Sequence, residues 1–497
     1  MVVLVRAVGS AIFSLEKEGI LLFFLLPMFR FLFFFLCAIA GVAQAQQPVL
    51  MPKQPVATPK VKPQTAKPAT VDAAPPLTLA QAIQLGLENN FNIRLSRTDE
   101  QVTENNVTRG NAGQLPVVNG NLTRNFNRNN VRQEFSQGTP RVNNNVPTSQ
   151  RNDNVVATWT IFDGLGMFIA YDRFKALNQS QRQLTRATVE ETVANITDAY
   201  YAVVRESGKI KSVEEALKIG QARIDLTRAR VDVGVSAKVE VLTARVDYNA
   251  DQSLLIQQQE LLTTAKINLN NLLSRPPRLD FSPADSIVVT RNLDQATIAQ
   301  GIQQNNPRLQ LAKTNTAVAT YDRRLAQAAR FPQVGLTSGY ARTSNFNGAA
   351  FLPGSREQGT ATTLSNGFNY GIVASVPIFD GFNRRRLEQN ARIGEEQSQL
   401  QLGQTQLQLD ADAEQAFAQY QNRLRLLELE ETNILLAREN VAIALERYRL
   451  GLLTPIALRE AQRTQLDAEV RLLDIRFQAK QAETVLRRLS GGIVQGQ

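Results

Sequence analysis

Trp159-Thr160-Ile161-Phe162-Asp163-Gly164 closes a run of alternating residues and opens a long helical stretch. Val376-Pro377-Ile378-Phe379-Asp380-Gly381 does the same 217 residues later (381 − 164 = 217). The shift holds outward from there. Val233-Gly234-Val235 returns as Leu450-Gly451-Leu452, so 70 residues separate the two glycines in either half (234 − 164 = 70; 451 − 381 = 70). Asn89-Asn90-Phe91 returns as Asn305-Asn306-Pro307, and Leu115-Pro116 as Phe331-Pro332, at a shift of 216 (332 − 116 = 216). A fixed offset across so many landmarks is the mark of one structural unit used twice. The copies are expected over 77–280 and 281–490, with a tail at 491–497.

Each copy is expected to begin with a helix. The first opens at Thr78, an N-cap type, and runs toward Gly110; the second runs from about Leu293 to Ala329, and Pro116 and Pro332 stop them. Period-2 runs follow. Val118, Gly120, Leu122 and Phe126, then Val155, Ala157, Trp159 and Ile161, alternate with polar neighbours in the first copy. Val334, Leu336, Ser338 and Tyr340, then Phe368, Tyr370, Ile372, Ala374, Val376 and Ile378, do so in the second. The spacing predicts strands near 116–127, 153–163, 332–342 and 367–379, with polar loops near 129–152 and 343–366. A run of about ten residues is what a tilted strand needs to cross a bilayer. A sheet in lipid has to close, and four strands are below the roughly eight of the smallest barrels, so other subunits must complete it. The same alternation also describes a soluble four-stranded sheet.

After each Asp-Gly the period becomes helical. Tyr420, Leu427, Ile434, Val441 and Tyr448 stand seven apart, and subtracting 217 gives Val203, Ile210, Leu217, Ile224 and Val231. The returning seams are Leu472, Ile475, Ala479, Ala482, Leu486 and Leu489, matched by Leu255, Gln258, Leu262, Ala265, Leu269 and Leu272. This is coiled-coil patterning. Helical hairpins are predicted over 166–273 and 383–489, with Gly234 and Gly451 at the tips. The first long arm, Phe168 to Val233, would reach ~100 Å.

Composition removes whole classes of chemistry. The chain has no His, and its one Cys is Cys37, so imidazole catalysis, thiol nucleophiles and the usual metal ligands are absent. No phosphate-cradling, dinucleotide or calcium-loop motif is found, and neither an enzyme nor a cofactor is expected. The net charge of +10 is spread as interleaved Arg and Glu/Asp along helices, which argues against nucleic acid as a partner.

The first 45 residues read as an export signal: Phe31–Ala40 is apolar, and Ala43-Gln44-Ala45 is a small-x-small cleavage site. A start at Met28, with Arg30 as the basic part, gives the more compact signal; the alternative is an uncleaved membrane helix over Ile20–Gly41. Residues 46–76 hold eight prolines with Lys53, Lys60, Lys62 and Lys67, and read as an extended linker.

Paired strands around polar loops, a Pro/Gly junction and a long hairpin with a glycine tip, doubled behind an export signal, resemble the TolC-like outer-membrane efflux family over essentially all of 77–490. The resemblance implies a mixed α and β membrane fold: a homotrimer whose strands pool into one 12-stranded barrel, continuous with a coiled-coil tunnel across the periplasm of a Gram-negative bacterium. It implies an exit duct that docks a periplasmic adaptor and an inner-membrane pump of RND or ABC type. The tips Val233, Gly234, Val235, Leu450, Gly451 and Leu452 would be the docking surface. Tyr448, three before its glycine, matches the family's gating tyrosine, and Glu240 and Glu460 take positions of its acidic ring; Ala457 stands where a further acid is expected. Pro116, Gly164, Pro332, Pro377 and Gly381 would mark the strand–helix junction. Trp159, Phe162 and Phe379 would form an aromatic girdle facing outer-membrane lipid, or else pack beneath the sheet. The competing class is a secreted or periplasmic coiled-coil structural protein without a membrane barrel.

Overall fold

A computed structural model describes residues 75–134, 136, 139–351 and 358–493. The expected signal and nearly all of the linker lie outside the described residues.

The first copy contains β1 (Pro76–Leu77), α1 (Leu79–Asn89), α2 (Phe91–Asn105), β2 (Val117–Gln133), β3 (Arg141–Phe162), α3 (Gly166–Asp232) and α4 (Lys238–Leu272). The second contains β4 (Ser282–Pro283), α5 (Gln295–Asn305), α6 (Pro307–Ala328), β5 (Gln333–Phe351), β6 (Gln358–Ser375), α7 (Asn383–Arg449) and α8 (Pro455–Leu489). The hairpin arms have identical lengths in both copies, 67 and 35 residues.

The single opening helix expected in each copy is two helices. Thr78 caps α1 with a capping box completed by Gln81. The break falls at Asn90 and Asn306, whose side chains do two tasks at once. Each Oδ1 caps the next helix, accepting from Ile93 N or Leu309 N. Each Nδ2 donates to the last carbonyl of a returning arm, Leu272 O or Leu489 O, at 2.8 Å in both. A cap residue satisfies amides that a helix start leaves bare, so the asparagine both ends one helix and begins another.

The strands order as β2-β3-β5-β6, all antiparallel, and β1 pairs in parallel with β4. They are longer than the alternation indicated, at 17, 22, 19 and 18 residues. Most of the expected loop at 129–152 is ladder, as are 343–351 and 358–366. Asn- and Thr-rich segments lack an apolar face, but outside lipid both faces of a ladder are solvated and none is required. At the other end β6 stops at Ser375, short of the expected 379, because Pro377 has no N–H to donate. Pro116 and Pro332 stand just before β2 and β5 instead of ending the helices, which finish at Asn105 and Ala328.

The register sorts the faces. Val118, Ala157, Ser338 and Tyr370 stand in one row, and Gly120, Val155, Tyr340 and Phe368 in the next. A bulge between Thr160 and Phe162 sets Phe162 opposite Val334 and so onto this apolar face. Each sheet then turns into its helix through two consecutive left-handed residues, Gly164–Leu165 (φ 72° and 69°) and Gly381–Phe382 (φ 67° and 64°). Two such residues reverse the chain sharply, and the first of each pair is the residue type that adopts this backbone without strain.

The expected seams pack. In the second copy Tyr420, Leu427, Ile434, Val441 and Tyr448 are all buried, against α8 residues including Leu472, Ala482, Leu486 and Leu489. In the first, Val203 and Ile224 are buried while Ile210, Leu217 and Val231 are half-buried. Gln258, a polar member of its seam, is buried and donates to the Glu206 carboxylate. The copies do not form separate bodies: Phe281 packs into the first copy's core, and so does Ile493 of the expected tail.

Candidate functional site

Each hairpin reverses through the same cap. Gly234 has φ 80° and Gly451 φ 77°. Val235 N and Leu452 N donate back to Arg230 O and Arg447 O, while the glycine amides reach Val231 O and Tyr448 O. This is a Schellman cap, whose left-handed residue is best served by glycine. Both tips are apolar and open: Val233, Val235, Leu450 and Leu452 are each more than 60 % exposed (73, 64, 72 and 74 %). Exposed apolar clusters of this kind mark surfaces that meet another molecule.

Tyr448 is entirely buried one turn above its glycine. Its ring lies among Val441, Ala444, Leu445, Leu453 and Leu458 on its own hairpin and Leu226 on the other. Its hydroxyl meets Thr227 Oγ1 at 2.7 Å. Because Thr227 Oγ1 donates to Arg223 O, the phenol is the donor in that pair. Arg230 Nη1 donates to the Tyr448 carbonyl, and the guanidinium lies 5.3 Å from the ring centroid. The tyrosine therefore ties α7 to α3, one hairpin to the other.

A second tie lies further from the tip. Arg459 on α8 grips Asp251 on α4 with two hydrogen bonds of 2.7 Å, and its Nε lies 3.8 Å from Asp247. Asp247 in turn takes Arg223 of α3 at 2.9 Å. Arg223 and Asp251 are buried. The Asp251 hydrogen bonds raise the affinity of Arg459 for its proton. Two carboxylates thus face two guanidiniums, a charge-balanced cluster that costs much to break by removing one member.

Tyr448 occupies the expected place. The two acids are not joined to it by any hydrogen bond or ion pair among the described residues. Glu240 lies in the first turn of α4, where Ser236 Oγ donates to it. Glu460 is exposed and borders the groove that also contains Asp247, Asp251 and Arg459. Thr454 caps α8 by accepting from Ala457 N, the position where an acid was expected. Sequence reasoning missed Thr227, Arg223, Asp247 and Asp251. Their only trace is an acid pair four residues apart, one face of a helix, which by itself reads as a solvated stripe.

At the strand–helix junction Gly164 is buried against Ala328 O and Phe331, whereas Gly381 has open space where a Cβ would stand. Trp159 is 43 % exposed and its Nε1 donates to Gln114 O at 3.0 Å. Phe162 is half-buried, and Phe379, 75 % exposed, meets Phe382 edge-on at 5.4 Å.

A model of the outer membrane efflux protein family matches residues 82–275 and 298–492, most of the described chain. The chain belongs to that family, whose members are outer-membrane proteins. It is 24 % identical to Protein CyaE of Bordetella pertussis over 328 residues, 65 % of either chain. It is 25 % identical to the toluene efflux pump outer membrane protein TtgC of Pseudomonas putida over 321 residues, 63 % of either chain. The match thus spans just under two thirds of these two relatives. The proteases secretion protein PrtF of Dickeya chrysanthemi is 20 % identical over 431 residues, 84 % of this chain and 89 % of that one. Among solved structures, the Campylobacter jejuni CmeC outer membrane channel superposes with a TM-score of 0.70 at 16 % identity, covering 83 % of this chain and 85 % of that one. The outer-membrane channel OprN does so at 0.67 and 20 %, covering 83 % and 90 %.

Proposed function

We propose that the protein is an outer-membrane exit duct, in which three copies close their sheets into one twelve-stranded barrel and their hairpins into a periplasmic tunnel. The observation that carries this is the open sheet. It has an apolar face and two unpaired edges, β2 and β6, and lipid cannot satisfy such edges. A coiled-coil structural protein without a barrel gives no reason for Val118, Leu122, Phe126, Tyr370 and Ile372 to stand exposed on one side.

The duct performs no chemistry; it needs a wall and a gate. The wall comes from paired arms, and the gate from the ties between hairpins. Tyr448–Thr227 and Arg459–Asp251 hold α7 and α8 to α3 and α4, so opening requires that they part. The tips Val233, Gly234, Val235, Leu450, Gly451 and Leu452 dock a periplasmic adaptor, through which an inner-membrane pump hands over its cargo. Glu240 and Glu460, gathered by threefold symmetry, favour cations in the constriction, since low-dielectric walls concentrate their field.

Purified protein is tested in planar bilayers. A trimer with discrete conductance steps is expected, and Tyr448→Phe, which leaves the ring but frees Thr227, should raise resting conductance. The E240Q/E460Q variant should lose cation selectivity in a salt gradient. A stable detergent-solubilised monomer that conducts nothing would overturn the duct.

A further inference from the structure

Above the apolar rows the lipid-facing side of the sheet changes character. The register carries Leu122, Asp153, Arg342 and Asn366 in one row and Arg124, Arg151, Ser344 and Leu364 in the next, all on the face of Val155, Tyr340 and Phe368. Arg124 and Arg151 are direct cross-strand partners. Like charges opposite one another are unfavourable in a ladder unless something anionic joins them. One carboxylate is present: Asp153 pairs with Arg151 at 2.7 Å and is the register partner of Arg342. Arg124 and Arg342 have no ion pair among the described residues, and both are exposed. Three guanidiniums therefore share one acid.

The opposite face at this height is uncharged. Its rows are Thr123, Asn152, Thr343 and Ser365, then Asn125, Gln150, Asn345 and Thr363. The excess charge points outward, away from anything that passes through.

Height decides what it meets. Arg342 stands eight residues above Val334 (342 − 334 = 8), and Arg151 eleven above Phe162 (162 − 151 = 11). At ~3.3 Å per residue and a tilt near ~40°, these are ~20 and ~28 Å along the membrane normal, which bracket a lipid-facing apolar band of ~25 Å. Phe126 and Phe346 lie one row further, and the Arg124 guanidinium sits 4.9 Å from the Phe126 ring centroid. Aromatics and arginines at one level are characteristic of the headgroup zone.

We propose that Arg124, Arg151 and Arg342, with Asp153 between them, form a binding site for the phosphate of an outer-leaflet lipid headgroup. The site rests on the barrel reading above. Guanidinium forks match phosphate oxygens bidentately, and three converging from three strands would hold a lipid across the β2-β3-β5 seam. Bound there, it would neutralise the Arg124–Arg151 pair and staple the hairpin that stands beyond the membrane.

The test is native mass spectrometry of the full trimer in neutral detergent, titrated with bisphosphorylated lipid A, with phosphatidylcholine and with inorganic phosphate. Wild-type protein should retain lipid A, and R124Q/R342Q should bind it roughly tenfold more weakly or worse. T123A/N125A, on the lumen face, should bind as wild type. Equal retention by R124Q/R342Q would overturn the site. Displacement of lipid A by millimolar inorganic phosphate would overturn the assignment to a lipid. Both arginine variants are also run in planar bilayers: channels that conduct normally while lipid retention is unaltered sink this site alone, whereas wild-type protein that forms no channel sinks the barrel.

Discussion

Helices α3 and α7 have the same length, the same left-handed entry and the same place in their repeats, yet one is wrapped and the other is bare. Twenty residues of α3 are buried, distributed around its circumference; nine of α7 are, and all lie on the seam it shares with α8. The reason is position. Helix α3 lies between α2, which it meets through Ser96–Thr185 and Asn178–Thr103, and α6, which it meets through Arg173–Asp322 and Ser180–Asn315. Helix α7 meets α6 through Glu395, paired with Arg323 and Thr320, and has nothing on its far side. What it presents there is a second heptad stripe, Ile393, Leu400 and Leu407, at 52, 69 and 72 % exposure. Helix α2 has a complementary unpaired set, Phe91, Leu95 and Val102. The repeat therefore defines a partner: the vacant face of α7 is where the α2 of another copy belongs, as α2 itself lies on α3. A duplicated unit whose last copy lacks its neighbour is an arc of a ring.

The largest expected effect tests that ring. Leu400→Asp with Leu407→Asp places charges at the vacant face, where a closing neighbour would have to desolvate them at several kcal/mol each. The trimer should be lost by light scattering in detergent, with helical content intact. An unchanged trimer would mean that α7 faces water.

Next come the junction glycines. Gly164→Ala forces a Cβ to 2.5 Å from Ala328 O and 2.6 Å from Phe331 Cβ at a positive φ, and should cost at least ~3 kcal/mol. Gly381→Ala meets nothing in the chain and should cost ~1–2 kcal/mol from its backbone alone. Thermal unfolding measures both. If the two are equally damaging in the assembled protein, a neighbouring copy covers Gly381 as Phe331 covers Gly164, and the comparison sharpens.

The smallest concerns a charge found only on the wrapped helix. Asp198 of α3 is pushed up to about 6 by burial, against the pull of Arg488, whereas Gln415 stands at the equivalent place on α7. A raised carboxyl favours the protonated folded state, so its stabilisation is fully present below the unfolded value near 4 and is lost as pH rises through about 6. Asp198→Asn should stabilise the protein at pH 7.5 by about 1–3 kcal/mol and flatten the melting temperature between pH 4 and 7. A variant that melts as wild type at both pH values would show that the acid stays solvated.

The sequence by itself determined the duplication, the hairpin arms to within a residue or two, the glycine tips and the apolar rows of the sheet. These are properties of local periodicity, and a period of 2 or 3.5 is written in the order of residues. It also placed Tyr448, because that residue ends an apolar seam. Strand ends were legible only where a proline cut them: Pro377 ends β6, but nothing in Asn129–Asn130 or Asn143–Asn145 announces that the ladder runs past the lipid. Tertiary structure decided the rest. Arg223, Asp247, Asp251 and Arg459 come from three helices, with up to 236 residues between members (459 − 223 = 236), and become one cluster only when the hairpins lie side by side. Asn90 reads as a loop residue until Leu272 O is brought to its amide. Neither acid proposed for the pore reaches Tyr448, since helical depth fixes a residue's height along an arm and not the direction it faces. Direction is set by which neighbours cover the helix, and for α7 half of those neighbours belong to another copy.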